Sequence, residues 1–215
     1  MVLGDLQFWS KQVLSADERI LERIVSVWPA CLKVLPGQPE EDIITINLVD
    51  LLNKDPVIRR ICRWLEFQYE PFGTAPNGQK FSKGKIDLAV LLDWERERYI
   101  AYECKRLNVT YNGKRSSLAK AYVTDGMMRF MTEQYAEGLP VGCMLGYVMD
   151  GDAPFAIAQL TKAIKSHGPL NVTTGPSAIG ALQNVARFLT VHDRNGGIPI
   201  ELRHALLSFQ NSREQ

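Results

Sequence analysis

The sequence predicts an α/β (α+β) fold, a central mixed β-sheet flanked by helices. Two apolar strand-like runs, Lys85–Asp93 (KIDLAVLLD) and Arg98–Leu107 (RYIAYECKRL), are joined by a charged turn and read as an antiparallel hairpin. Stretches with helical spacing lie on both sides of that hairpin. The resulting order is helix, helix, strands, helix, strand, helix, strands, with no linker long enough to divide it. A single domain over residues 1–215 is expected.

The elements follow from local chemistry. Ser15-Ala16-Asp17-Glu18 is a capping-box pattern. Ile20, Leu21, Ile24, Val25 and Trp28 then recur at helical spacing, and Pro29 is expected to end the helix. Pro39 opens a second helix from Glu40 to about Asn53, with Ile44, Leu48 and Leu51 or Leu52 in one stripe. Acidic residues in its first turn suit the helix dipole. Residues 60–70 read as an edge strand and Gly73–Gly84 as a loop. Asn112-Gly113 marks a turn. Ser117 to about Ala136 reads as a long helix, Val141–Met149 as a buried strand and Asp152 to about Ser166 as a helix. Strand-like pieces at Phe188–His192 and Ile198–Phe209 flank Asn195-Gly196-Gly197.

Composition narrows the function. A length of 215 residues allows a substantial core. The longest largely apolar run, Leu139–Met149, is too short to span a bilayer. The N-terminal MVLGDLQFWSK lacks the basic and apolar blocks of a signal peptide. Cys31, Cys62, Cys104 and Cys143 form no C-x-x-C pair, so reduced core cysteines and a cytoplasmic location are expected, without a zinc ribbon. No Gly-rich phosphate loop is present. The net charge of +1 argues against a protein that coats nucleic acid. Residues 80–120, however, hold ten Lys/Arg against five Asp/Glu, a local excess that would draw a phosphate-bearing substrate.

The chemistry centres on the hairpin. Glu103 and Lys105 are two apart, so they project from the same strand face. Asp87 lies on the partner strand. Aspartate is disfavoured in strands, and an unpaired buried carboxylate is costly. Two carboxylates beside an amine suit a divalent metal, magnesium or manganese, with the Cys104 backbone carbonyl as a further ligand. Lys105 would sit near the attacking water, as a base with a lowered pKa or as an electrostatic anchor. A metal-free salt bridge between Asp87 and Lys105 is the alternative.

Asp87, fifteen intervening residues and Glu103-Cys104-Lys105, on two strand-like runs between helices, resemble the PD-(D/E)XK nuclease superfamily. Ile86 stands where the family's proline would be. The resemblance implies a restriction-endonuclease-like core over about residues 39–150, with an N-terminal helix and a C-terminal strand/helix extension. It implies catalysis by Asp87, Glu103 and Lys105. It adds an acidic metal ligand on the first core helix, for which Glu41 is chosen over Glu40 and Asp42. It also implies a polar helper on the helix after the lysine strand, Arg129 foremost, with Tyr122 and Tyr135 as competitors. Arg106, beside Lys105, is a further candidate phosphate or substrate contact. The expected partner is nucleic acid, DNA favoured over RNA, and not a membrane. The expected assembly is a homodimer or a larger defence or repair complex. A non-catalytic nucleic-acid- or protein-binding subunit of the same fold is the rival. His192 and Arg194 could touch a phosphate or lie in an exposed turn, and His204 reads as a hydrogen-bonded core residue. Trp9, Trp28, Trp64 and Trp94 are scattered and give no base-stacking platform.

Overall fold

A computed structural model of the chain describes residues 6–180, 182–183, 185–194 and 196–209. Asn195 of the expected Asn-Gly-Gly turn, and the side chain of Trp9, lie outside the described residues. Helix α1 spans Leu6–Val34 and runs through both Ser15 and Pro29. The capping box therefore does not start it, and the proline does not end it. A proline inside a helix removes one hydrogen bond and crowds the preceding turn. Burial on both sides offsets this here: Ile20, Ile24 and Trp28 before Pro29, and Cys31 after it, all lie in the core.

Helix α2 (Glu41–Lys54) follows Pro39 as expected, with Glu40 at its N-cap. Ile44, Leu48 and Leu52 are fully buried. A short helix, α3 (Ile58–Ile61), leads to strand β1 (Trp64–Tyr69), which forms one edge of a seven-stranded sheet. The strand order is β1-β4-β5-β8-β11-β10-β9. Here β4 is Ile86–Leu91, β5 Tyr99–Leu107, β8 Val141–Val148, β9 Val172–Ala178, β10 Ala186–His192 and β11 Ile200–Ser208. The β4–β5 pairing is antiparallel, as the hairpin pattern predicted, while β5–β8 and β8–β11 are parallel. The sheet is thus mixed, with helices on both faces. Every residue of β8 is buried, which fits a strand covered on both sides.

Several segments differ from expectation. Residues 73–84 contain a two-stranded ribbon, β2 (Phe72–Thr74) with β3 (Lys80–Ser82), in place of a plain loop. A second ribbon, β6 (Val109–Tyr111) with β7 (Lys114–Ser116), turns at Asn112-Gly113. The expected long helix over 117–136 is shorter and irregular. It comprises α4 (Ala119–Ala121), a π-helical turn (Tyr122–Met127) and α5 (Met128–Met131). Gly126 sits in the π-helical turn, and a Cβ there would lie 2.8 Å from Met144 and 3.5 Å from the side chains of Glu103 and Lys105. The widened turn and the glycine let the helix backbone lie directly over the Glu103–Lys105 pair. Helix α6 (Ala153–Ser166) starts as expected, with the Asp152 carboxylate accepting from Phe155 N–H. Strand β9 was not anticipated: its GP-containing sequence alternates poorly and it is the other edge of the sheet.

One face of the sheet packs on α1 and α2 through Leu88, Val90, Tyr102, Cys104 and Tyr147. The other packs on the 119–131 helical segment and α6 through Ala89, Ala101, Leu107 and Met144. Helix α1 is tied down by Asp17, whose carboxylate accepts from Tyr102 OH at 2.6 Å and pairs with Arg203 at 3.2 Å. All four cysteines are free and buried. Among the described residues no helix is long and apolar enough to cross a membrane. Because Leu48 is the centre of the α2 stripe, Leu48→Ala should lower unfolding free energy by about 2–5 kcal/mol in urea titration. A loss under about 1 kcal/mol would contradict this packing.

Candidate functional site

The β4–β5 ladder stops at Leu88↔Tyr102, yet β5 continues to Leu107. Past Tyr102, β5 has a partner only on its β8 side. Its N–H groups on the β4 side are buried and need acceptors. Two carboxylates supply them. Asp87 accepts from Cys104 N–H at 2.7 Å, and Glu41 accepts from Arg106 N–H at 3.0 Å. Cys104 and Arg106 are two apart, so their N–H groups face the same way. The carboxylates thus take the places that a continued β4 would have filled.

Glu41 reaches β5 because several contacts seat the first turn of α2. Thr45 OH meets Tyr147 OH at 3.1 Å, and Arg106 donates to Pro39 C=O at 3.1 Å while pairing with Glu40. Among the three acids Glu40, Glu41 and Asp42, only Glu41 turns toward Lys105. Glu40 goes to Arg106, and Asp42 accepts from Gln68 at 3.1 Å. Arg106 itself is occupied by α2, so its guanidinium holds the helix start and is not free to grip a substrate.

Lys105 lies at the centre. Its ammonium is 2.8 Å from Glu41, 2.8 Å from Glu103 and 3.9 Å from Asp87. It also donates to the Cys104 carbonyl at 2.8 Å, the group expected to face a metal. Glu103 is fully buried. Its Oε1 has the nearby ammonium but no hydrogen bond in good geometry. Its Oε2 faces Arg129 at 3.3 Å. Arg129 therefore does reach the site, and it also contacts the hydroxyl of Tyr135. Tyr135 in turn donates to the Lys85 carbonyl, just before β4.

Three carboxylates face two cations in this cluster, and the electrostatics reflect that. Burial, together with the charge of Asp87, pushes the Glu103 carboxyl up to about 8. Burial also raises Asp87, with Lys105 and the Cys104 N–H acting in the opposite direction. For Lys105, burial opposes the charge, but Glu103, Glu41 and Asp87 outweigh it and hold the ammonium more tightly than usual. The expected alternative of a lysine base with a lowered pKa is therefore not what the surroundings produce: this lysine is an electrostatic anchor.

No protein-family model, curated protein or solved structure matches the chain.

The donor set suits a hard divalent cation. It is all oxygen, it brings three carboxyl groups together, and one buried carboxyl oxygen has no hydrogen bond. Among the described residues, however, no three acidic, His or Cys side chains stand grouped ready for a metal. The Lys105 ammonium fills the space between Glu41, Glu103 and Asp87, so it would have to withdraw for a cation to enter.

Other expected contacts lie elsewhere. Tyr122 is fully buried and its hydroxyl pairs with His204 Nδ1 at 2.9 Å, so it is a core residue and no phosphate contact. His204 is, as expected, hydrogen-bonded in the core, stacked on Phe188 at 4.2 Å. Burial and the neighbouring His192 push its pKa down to about 3, which keeps it neutral. His192 and Arg194 are neither at the site nor in an exposed turn. His192 is buried between Leu170 C=O (2.7 Å) and Thr190 OH (2.6 Å). Arg194 donates to the carbonyls of Ile198, Ala136 and Leu139 and pins the segment before β8. Gly126 had no sequence signal pointing to the site. Its role follows from the π-helical turn.

The raised Glu103 pKa has a consequence for stability. An acid whose folded pKa lies above its unfolded value favours folding below the unfolded pKa, and that contribution is lost as pH rises through the folded pKa. In EDTA, the wild type should therefore lose stability relative to Glu103→Gln between about pH 5 and pH 8. Urea titrations across that range check this, and parallel curves for the two proteins would contradict it.

Proposed function

We propose that the chain is a metal-dependent nuclease of the PD-(D/E)XK type, hydrolysing phosphodiester bonds, with DNA favoured over RNA. The observation that supports this most is the convergence of Asp87, Glu103, Lys105 and Glu41 at the open end of β5, inside a locally cationic stretch. Asp87, Glu103 and Glu41 would hold magnesium or manganese, with the Cys104 carbonyl freed as a further donor when Lys105 swings away. Bound there, such an ion supplies Lewis-acid polarisation and an activated water.

The protein's own groups have definable tasks. Lys105, kept protonated by its neighbours, would orient the attacking water and offset charge on the phosphoryl oxygens. It would not remove the water's proton. Arg129, half-buried and already aimed at Glu103, offers a fork of donors to a phosphate oxygen. Tyr135 holds that guanidinium in place. Glu41 and Asp87 keep the β5 edge rigid while presenting their remaining lone pairs to the site. A role in phage defence or restriction, in the cytoplasm, is favoured over repair on family-level analogy. The assembly we propose is a homodimer or a larger defence or repair complex.

One observation favours the non-catalytic alternative. Lys105 already balances much of the carboxylate charge, so the cluster can persist as a buried ion network without a divalent ion. Such networks are poor stabilisers compared with apolar packing, which leaves their presence in a basic patch better explained by chemistry.

Purified protein is to be incubated with plasmid, linear and single-stranded DNA in magnesium or manganese. Wild type should cleave, and Asp87→Ala and Lys105→Ala should each lose on the order of a hundredfold or more. Equal residual cleavage by wild type and variants would sink the catalytic claim. Calorimetry should show a manganese signal that disappears in Glu103→Ala. No metal signal, with tight binding to a partner, would favour the alternative.

A further inference from the structure

The two small ribbons leave the sheet at the same end as the site. β2 follows the end of β1 after two residues, and β6 follows the end of β5 after one. β1 and β5 flank β4, so the ribbon bases are about 10 Å apart across the strand that carries Asp87. The ribbons share a pattern. In β2–β3, Phe72 pairs with Ser82 and Thr74 with Lys80, so Phe72 and Lys80 lie on one face. In β6–β7, Tyr111 pairs directly with Lys114, again on one face. Phe72 is 70% exposed and Tyr111 75% exposed. Neither the 72–86 segment nor the 108–124 segment contains an acidic residue, and each carries three Lys/Arg.

The opposite faces are tied down. Phe81 lies over Gly73, where a Cβ would meet its ring at 2.3 Å. Lys83 pairs with Glu137 at the base of the first ribbon. Arg115 pairs with Asp150 and Asp152 and stacks on Phe155, fixing the second ribbon against the start of α6. On the face shared with its lysine, each ribbon leaves one aromatic ring and one ammonium outward, and on the other face of the first ribbon Phe81 is 50% exposed.

We propose that Phe72/Lys80 and Tyr111/Lys114 are two base-stacking and phosphate-pairing platforms that hold a single-stranded polynucleotide across the site. Any base has a π-face that can stack on an exposed ring, and each lysine matches a backbone phosphate. In a duplex the base faces are already stacked on one another and are not offered to the rings. This assignment builds on the nuclease reading by naming its substrate as an unpaired strand, but its test is read without cleavage.

The test is fluorescence anisotropy in EDTA with a labelled mixed-sequence DNA strand and its duplex. Wild type should bind the single strand more tightly than the duplex. Phe72→Ala and Tyr111→Ala should each weaken single-strand binding about tenfold, with melting temperature unchanged because both rings are exposed. Lys80→Gln with Lys114→Gln should flatten the salt dependence by a slope of roughly 0.7 per lysine. Tighter binding to duplex, no binding of either probe, or aromatic variants that bind like wild type would each overturn the assignment. The cleavage assay judges the nuclease reading independently of all three results.

Discussion

The unpaired end of β5 sets the terms for everything around it. A strand buried between layers cannot leave its N–H groups without acceptors, because each would forfeit on the order of 1–3 kcal/mol. Here the acceptors on one side are side-chain carboxylates, Asp87 on Cys104 and Glu41 on Arg106. That substitution brings two acids against the strand that also carries Glu103 and Lys105. They complete the ladder, and in doing so they concentrate negative charge in a place with little solvent.

Such a concentration must be offset, and the chain uses Lys105 and Arg129 to do so. The offset is incomplete, which is why burial and Asp87 hold the Glu103 carboxyl near 8 and its Oε1 lacks a hydrogen bond. In the proposed reading, a divalent cation would enter such a site as the lysine leaves. The same condition makes the lysine a tightly protonated anchor. Away from this centre, one set of buried polar groups is neutral and internally paired. Tyr122, His204, His192 and Thr190 form a buried hydrogen-bonded group, and the imidazoles stay uncharged.

Much of this was legible in the sequence where local pattern and tertiary structure agree. Two apolar runs at 85–93 and 98–107, joined by a charged turn, revealed the hairpin, and the i, i+2 spacing placed Glu103 and Lys105 together. Pro39 and the acidic first turn located α2. Other features were not legible. Glu41 differs from Glu40 and Asp42 only through what each meets in space, since Arg106 and Gln68 engage its neighbours. Pro29 reads as a helix stop, but core burial on both sides overrides that local rule. The π-helical turn and Gly126 leave no periodic signature, and Tyr122 lies in the same helical segment as Arg129 yet meets His204 in the core, while Arg129 meets Glu103. Arg106 looked like a substrate contact from its place beside Lys105, but one step along a strand turns a side chain to the other face, here toward α2.

The central claim is that Lys105 occupies the place of a divalent cation among Asp87, Glu103 and Glu41. The most direct measurement is the manganese anomalous signal from a crystal soaked in manganese. The account predicts a peak bounded by the Asp87 and Glu103 carboxylates, with the Lys105 ammonium moved out of the cluster. A soaked crystal with no peak there, and with Lys105 still against Glu41 and Glu103, would contradict it.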